Sequence, residues 1–355
     1  VLINDKTSYL GFDYAHLCDK IWFIKEETPT IDDSDVVIAC CDDALPFLCS
    51  VRLDNNIRTD KGLYLQKISA PHRIEDFYLD LDYNTPDEAL SWSRDKFPIF
   101  IKPVSGCGSQ GVFPIFSKIE LEEMIKDTIV NKQQKTLLLQ KKVYGKEMHV
   151  DITTNGSQIA VIAIWSVERG PRTFSYLENY EDQSEEFKKS LTSLLEAIPK
   201  IDKLLGSYHI QTIFDGIDLK LIEINFRHQG HITWHLYKKA VGHAQIESEL
   251  IAHLAPRIWR ETFANKTFPR KKYAARVWIK NRLRKYIEFD TVNLLSTVSS
   301  ADYVIPHSKF FSKISEPSTE FLGSNLAAVM LVNDSEEILK QDIEKVFRWA
   351  EERFG

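Results

Sequence analysis

The chain has 355 residues, 43% of them hydrophobic and 27% charged, with a formal net charge of -6. That length allows two or three domains with real cores, and the composition is globular, neither disordered nor fibrous. The acidic balance argues against a nucleic-acid partner, and no run reaches the roughly 18 apolar residues that a membrane helix needs. Five cysteines, with no Cys-x-x-Cys pair, fit reduced thiols in a cytosolic compartment and no disulfide or zinc framework. No signal peptide is read before the first elements, so the expected localisation is cytoplasmic.

Residues 1–70 read as short strands alternating with helical pieces. Apolar runs at 20–24 and 36–40 have buried-strand length, and a helix-like stretch begins at Ala44, which predicts a small parallel α/β unit. Residues 72–96 are acidic and turn-rich around Asn84-Thr85-Pro86-Asp87. A strand over 98–102, a Gly/Ser loop and a strand over 111–116 follow, and Ser117 with Glu120 forms a capping box for a helix to about 127. A strand at 136–140 precedes two longer ones, 147–153 and 158–165, joined by the hairpin signal Asn155-Gly156. Next come an amphipathic helix over 184–205, strands over 209–214 and 219–224 hinged at Asp215-Gly216, and a helix over 234–254. An alternating strand at 273–279 and a helix at 335–354 close the chain. Basic clusters such as Arg270-Lys271-Lys272 read as solvated flanks.

Three segments carry chemistry. In Lys102-Pro103-Val104-Ser105-Gly106-Cys107-Gly108-Ser109-Gln110-Gly111, a strand delivers a lysine to a loop of glycines and serines. Glycines let backbone N–H groups approach an anion, hydroxyls add donors, and the lysine is a point charge for phosphate. Because the lysine precedes the glycines and a strand follows, this is not the GxxxxGK[ST] loop. Taken alone, it fits a plain flexible hairpin equally well. Cys107 reads as a small filler residue. In Gln140-Lys141-Lys142-Val143-Tyr144-Gly145-Lys146-Glu147, a strand end is followed by a glycine turn and an acid. Such a segment can offer backbone to an adenine edge and a carboxylate to ribose hydroxyls. A surface glutamate beside a turn is the blander reading.

The third segment is Leu221-Ile222-Glu223-Ile224-Asn225-Phe226-Arg227. Strand residues alternate faces, so Glu223 and Asn225 point the same way and form a hard-oxygen pair suited to Mg²⁺. Arg227 follows on that face, and such a polar row is expensive to bury without a ligand. Across the Asp215-Gly216 turn, Gln211 is the polar partner, sharing its face with His209.

In this order and spacing the three segments resemble the ATP-grasp superfamily over about 60–255, most closely its L-amino-acid ligases (dipeptide synthetases). The resemblance implies an α/β fold with an α+β core. It would comprise a short N-terminal parallel α/β domain over 1–70, a small lid subdomain over 71–165 and a large subdomain with a C-terminal mixed β/α portion over 166–355. It implies ATP and Mg²⁺ as cofactors, with Lys61 and Lys102 on the phosphates and Ser105, Gly106, Gly108, Ser109, Gln110 and Gly111 in the phosphate lid. Gln140, Lys141 and Val143 would form the adenine hinge, Glu147 would take the ribose, and Glu223, Asn225 and Gln211 would hold the metal. Arg227, with Lys102, would act in catalysis by steadying an acyl phosphate. Two departures stand out: Gln140 replaces the usual hinge glutamate, and Gln211 replaces an acidic metal ligand, so the site carries less negative charge than is usual.

The implied activity is ATP-dependent carboxylate–amine ligation through an acyl phosphate. The partners would be two small amino-acid-like substrates, with no nucleic acid or membrane, in a possible homodimer. No Ser-His-Asp or Cys-His set competes with this reading. Arg169 and Arg172 are placed to clamp a carboxylate, and His231 and Trp234, just past His228, to line the second-substrate site. Trp234 as core filler and His231 as a helix cap remain equal readings. A carboxylase or purine-pathway ligase using carboxyphosphate is a second function, and a weakly catalytic ATP-binding regulator a third.

Overall fold

The computed structural model describes residues 2–4, 21–23, 36, 38, 65, 67–104, 111–131, 136–201, 205–230, 233–280, 294, 296–306 and 325–354. The expected strand at 36–40 (save Val36 and Ile38), Lys61, Ser105 to Gln110 and His231 lie outside these residues. Among them, no helix is long and apolar enough to cross a membrane.

Strands β1 (Leu2–Asn4) and β2 (Ile21–Phe23) pair in parallel, as expected of the N-terminal unit. A four-stranded antiparallel sheet follows, ordered β3-β6-β4-β5, from β3 (Asp76–Asp80), β4 (Ile99–Pro103), β5 (Phe113–Ile115) and β6 (Thr136–Lys141). Helices α1 (Pro86–Ser93) and α2 (Lys118–Asn131) accompany it. Leu79, Ile99, Ile101, Leu139, Leu121 and Ile125 form its core. Half of the expected capping box forms: Glu120 N–H donates to Ser117 Oγ at 3.3 Å, whereas Glu120 Oε2 accepts from Phe116 N–H at 2.8 Å, one residue before the cap. The stretch expected as turns holds both β3 and α1. Acids flank β3 while Leu79 supplies its buried anchor, and Pro86 opens α1 at a position where no N–H is needed.

The large sheet has eight strands in the order β11-β10-β7-β8-β9-β12-β14-β13. They are β7 (Lys146–Asn155), β8 (Ile159–Glu168), β9 (Thr173–Glu178), β10 (Leu205–Phe214), β11 (Leu219–Asn225), β12 (Tyr273–Lys280), β13 (Ala301–Pro306) and β14 (Asn325–Asn333). Strands β7 and β8 are buried almost end to end because both faces are covered. One face packs Val150, Ile152, Ile210 and Leu221 against Phe187, Leu191 and Leu194 of α3 (Glu185–Ile201), and Leu138 of the small sheet joins that core. The other face packs Trp165, Ala274 and Trp278 against Leu236, Tyr237 and Trp259, from α4 (Thr233–Ala240) and α6 (Pro256–Thr262), with α5 (Gln245–Leu254) between them in the chain. Beyond β9, Val277, Ile279 and Val329 pack on Leu339, Val346 and Phe347 of α7 (Glu336–Phe354).

Two boundaries differ from expectation. The hairpin β7–β8 belongs to the large sheet, so the sheets part at Lys142–Gly145 and not after Trp165. Gly145 permits this junction, since a Cβ there would lie 2.1 Å from the Phe214 carbonyl oxygen. The helix expected over 234–254 breaks into α4 and α5 at Gly242, whose φ of +98° favours glycine.

Candidate active site

Register on the large sheet assembles the site. Strand β10 lies between β7 and β11, and Gln211 sits opposite both His149 and Glu223. His209 likewise sits opposite both Asp151 and Asn225. Side chains in such a row share a face, so one face carries His149, Gln211 and Glu223 beside Asp151, His209 and Asn225. The pairing of Gln211 with Glu223 is thus direct. Asn225 is buried, whereas Gln211 and Glu223 are half-buried. One carboxylate and two amide oxygens form a hard-oxygen donor set, which fits Mg²⁺ that takes its remaining ligands from phosphate and water.

Between Gln211 and Thr212 the β10–β11 register shifts, leaving Ile222 as the extra residue on β11. Lys102 Nζ of the small sheet donates to the Ile222 carbonyl at 3.2 Å. A shifted ladder leaves a carbonyl unused by its neighbour strand, and the lysine takes it. Lys102 therefore stands directly over the strand that bears Glu223 and Asn225. Gly111 returns the chain to β5 with φ +70°. Gln140 is buried in β6 between Asp76 and Phe100, Lys141 approaches Glu75 at 3.9 Å, and Val143 lies in the segment between the two sheets.

Glu147 reaches the same face already engaged. Arg169 donates to both its oxygens, with Nε to Oε2 at 2.9 Å, and His149 Nε2 lies 2.8 Å from Oε1. Burial pushes the Glu147 carboxyl up, but the bonds from Arg169 and His149 outweigh it and bring its pKa down to about 2. His149 itself is held neutral, with burial taking its pKa to about 4. Burial, then the Arg227 charge, does the same for His228, also to about 4. Arg227 Nη1 donates to the His228 carbonyl at 3.0 Å.

Beside them lies a buried network that the sequence reading left out. His209 Nδ1 is 2.7 Å from Asp151 Oδ1, and the Tyr237 hydroxyl meets Asp151 Oδ2 and Gln229 Oε1. Trp165 Nε1 donates to Tyr237 at 3.1 Å, and burial, then Asp151, raises the Tyr237 hydroxyl well above its ordinary range. The run Glu147-x-His149-x-Asp151 had the same alternation as Glu223-x-Asn225 and could have been found by it.

Two expected substrate residues are not brought here. Arg172 is held by Glu351 at 2.8 Å and Glu344 at 2.7 Å and lies over the Phe347 ring, because three residues of α7 compete for it. Trp234 packs against the core of α4 and the large sheet, the blander of its two readings. Arg169, expected to clamp an outside carboxylate, clamps Glu147.

A small sheet thus meets a large one, with a lysine from the first over a hard-oxygen row on the second. Residues 73–231 match the profile of the ATP-grasp domain. The carbamoyl phosphate synthase large chain of Clostridium acetobutylicum is 22% identical over 137 residues, covering 37% of this chain and 13% of that protein's length. Among solved structures, L-amino acid ligase from Bacillus licheniformis is similar with a TM-score of 0.64 and 15% identity, over 88% of this chain and 78% of that one. Carboxyaminoimidazole ribonucleotide synthase from Aspergillus clavatus, complexed with ATP, gives 0.62 and 12%, over 83% and 74%. At such identities these likenesses are of fold.

Proposed function

We propose that this chain is an ATP-dependent carboxylate–amine ligase joining two small amino-acid-like substrates, with release of ADP and phosphate. The observation that carries this reading is the Lys102 contact with Ile222, which sets a cation against the strand of Glu223 and Asn225. Glu223, Asn225 and Gln211 would hold magnesium, which when bound neutralises phosphate charge. Lys102, with Lys61 and the loop from Ser105 to Gly111, would meet the phosphates, and Gln140, Lys141 and Val143 the adenine. Glu147 would serve the ribose through the Oε2 lone pair that Arg169 leaves.

In the first step a carboxylate oxygen attacks the terminal phosphorus and ADP departs. Arg227 would neutralise the acyl phosphate. In the second step an amine attacks the acyl carbon, phosphate departs and the amine's proton goes to solvent. Holding charges in place is the whole task, so no side-chain nucleophile is required.

A matrix of amino-acid pairs with Mg-ATP, read by phosphate release and product mass spectrometry, tests the proposal. AMP with pyrophosphate, or no product from any pair, would sink it. Likeness to the Aspergillus clavatus enzyme supports a second reading, a ligase using carboxyphosphate, and bicarbonate-dependent turnover without amino acid would select it.

A further inference from the structure

Among the described residues, three histidines stand in or just beyond the polar row of β7, β10 and β11, and they are not equivalent. His149 commits Nε2 to Glu147, its Nδ1 is enclosed without a hydrogen bond, and burial takes its pKa to about 4. His228 is brought to about 4 as well, by burial and then by Arg227. Neither ring is basic enough to take a proton from an amine at neutral pH. His209 is held differently.

His209 lies on β10 between two partners, opposite Asp151 of β7 on one side and Asn225 of β11 on the other. Its Nδ1 is 2.7 Å from Asp151 Oδ1, and Asp151 is wholly buried. The Tyr237 hydroxyl meets the other carboxylate oxygen. Burial, then Asp151, raises that hydroxyl, so it keeps its proton and donates it. Asp151 thus accepts at both oxygens, which makes Nδ1 of His209 the protonated nitrogen and leaves a lone pair on Nε2. The two nitrogens of an imidazole point in nearly opposite directions. With Nδ1 turned to β7, Nε2 turns toward β11, where the Asn225 side chain begins about 5 Å away. Nε2 makes no hydrogen bond among the described residues. A buried acceptor is costly to leave unmatched, and what this one lacks is a donor.

We infer that His209, oriented by Asp151, is the base that takes the proton of the attacking amine. The inference rests on the ligase reading above and deepens it. In that reading the metal and the acyl phosphate lie over Glu223 and Asn225, so an amine that approaches the acyl carbon across β10 passes His209. As the amine nitrogen bonds to that carbon, one of its protons moves to Nε2, and the bond from carbon to the phosphate oxygen breaks. Asp151 stabilises the imidazolium, which then releases the proton to solvent. Asp151 and Tyr237 touch no reacting atom and are positioning residues: they fix which ring nitrogen carries the hydrogen.

The test separates the two half-reactions with hydroxylamine, a nucleophile that is unprotonated at neutral pH and needs no base. Wild type, His209→Asn and Asp151→Asn are each assayed for hydroxamate formation with hydroxylamine and for amide formation with the amino acid that turns over best. His209→Asn should lower kcat for the amide about 100-fold, the usual share of a general base, and leave hydroxamate formation and the KM for ATP within about threefold. In Asp151→Asn the side-chain amide can donate to Nδ1, which moves the ring hydrogen to Nε2 and removes the lone pair there. This variant should show the same split, and it supplies the readout if His209→Asn does not fold. Equal loss of hydroxamate and amide in a folded variant marks a structural role and would overturn the inference, as would full amide synthesis by His209→Asn. A wild type that forms neither product refutes the ligase reading itself, and the inference with it.

Discussion

Gln211→Glu would restore a second acid at the point where the chain carries an amide. Gln211 faces Glu223 directly across β10 and β11, a pairing that sets side chains about 5 Å apart. At an effective dielectric near 20 two carboxylates at that distance repel by about 3 kcal/mol, and the half-buried setting reduces this to roughly 1–2 kcal/mol. Without metal, the variant should therefore melt several degrees below wild type. With magnesium and a non-hydrolysable ATP analogue the sign reverses. An ionised ligand in place of an amide is worth roughly 1.5–3 kcal/mol, so the half-saturating magnesium concentration should fall about 10- to 100-fold. Thermal melts in chelator and in magnesium, with a magnesium titration of phosphate release, measure both effects. If Gln211→Glu melts like wild type in chelator and needs as much magnesium, then Gln211 does not neighbour the metal and this placement of the site is wrong.

Lys102→Met should weaken ATP binding about 10- to 100-fold, the loss of one charge-assisted phosphate contact, with little change in melting temperature. An unchanged ATP dissociation constant would remove Lys102 from the cradle. Acid should destabilise the protein, because His149 and His228 have folded pKa values near 4 against 6.5 unfolded. Their unfolded forms bind more protons, so stability is full above pH 6.5 and is lost as pH falls toward 4. Each contributes a loss of roughly 2 kcal/mol between pH 7 and pH 5. Urea titrations should show this slope and His228→Asn should flatten it by about half; a flat wild-type profile would contradict the burial of both rings. Arg172→Ala should leave every substrate KM within about twofold, because Glu344 and Glu351 already hold the guanidinium. A large KM rise would return Arg172 to the site.

Local patterns gave the parts. Alternation put Glu223 and Asn225 on one face, the Asn155-Gly156 turn marked a hairpin, and the cap at Ser117 began a helix, because each depends on neighbours within a few residues. Strand β3 and helix α1 were hidden, since Asp76 to Asp80 is acidic on its flanks and is held by partners on β6 some sixty residues away. The division after Trp165 failed for a related reason: a hairpin does not declare which sheet it will join. Pairing across β7, β10 and β11 decided that Gln211 meets Glu223 and that His149 and Asp151 stand beside them. Contacts of long sequence separation also decided what the arginines do. Arg169 is held by Glu147 and Arg172 by α7, while Arg276, unremarked in its strand, lies buried with its Nε–H unpartnered among the described residues. The sequence by itself determined which residues could carry phosphate, metal and charge. Only tertiary structure decided which of those charges were already satisfied, because a charge is neutralised by whatever the fold brings within reach, not by what precedes it in the chain.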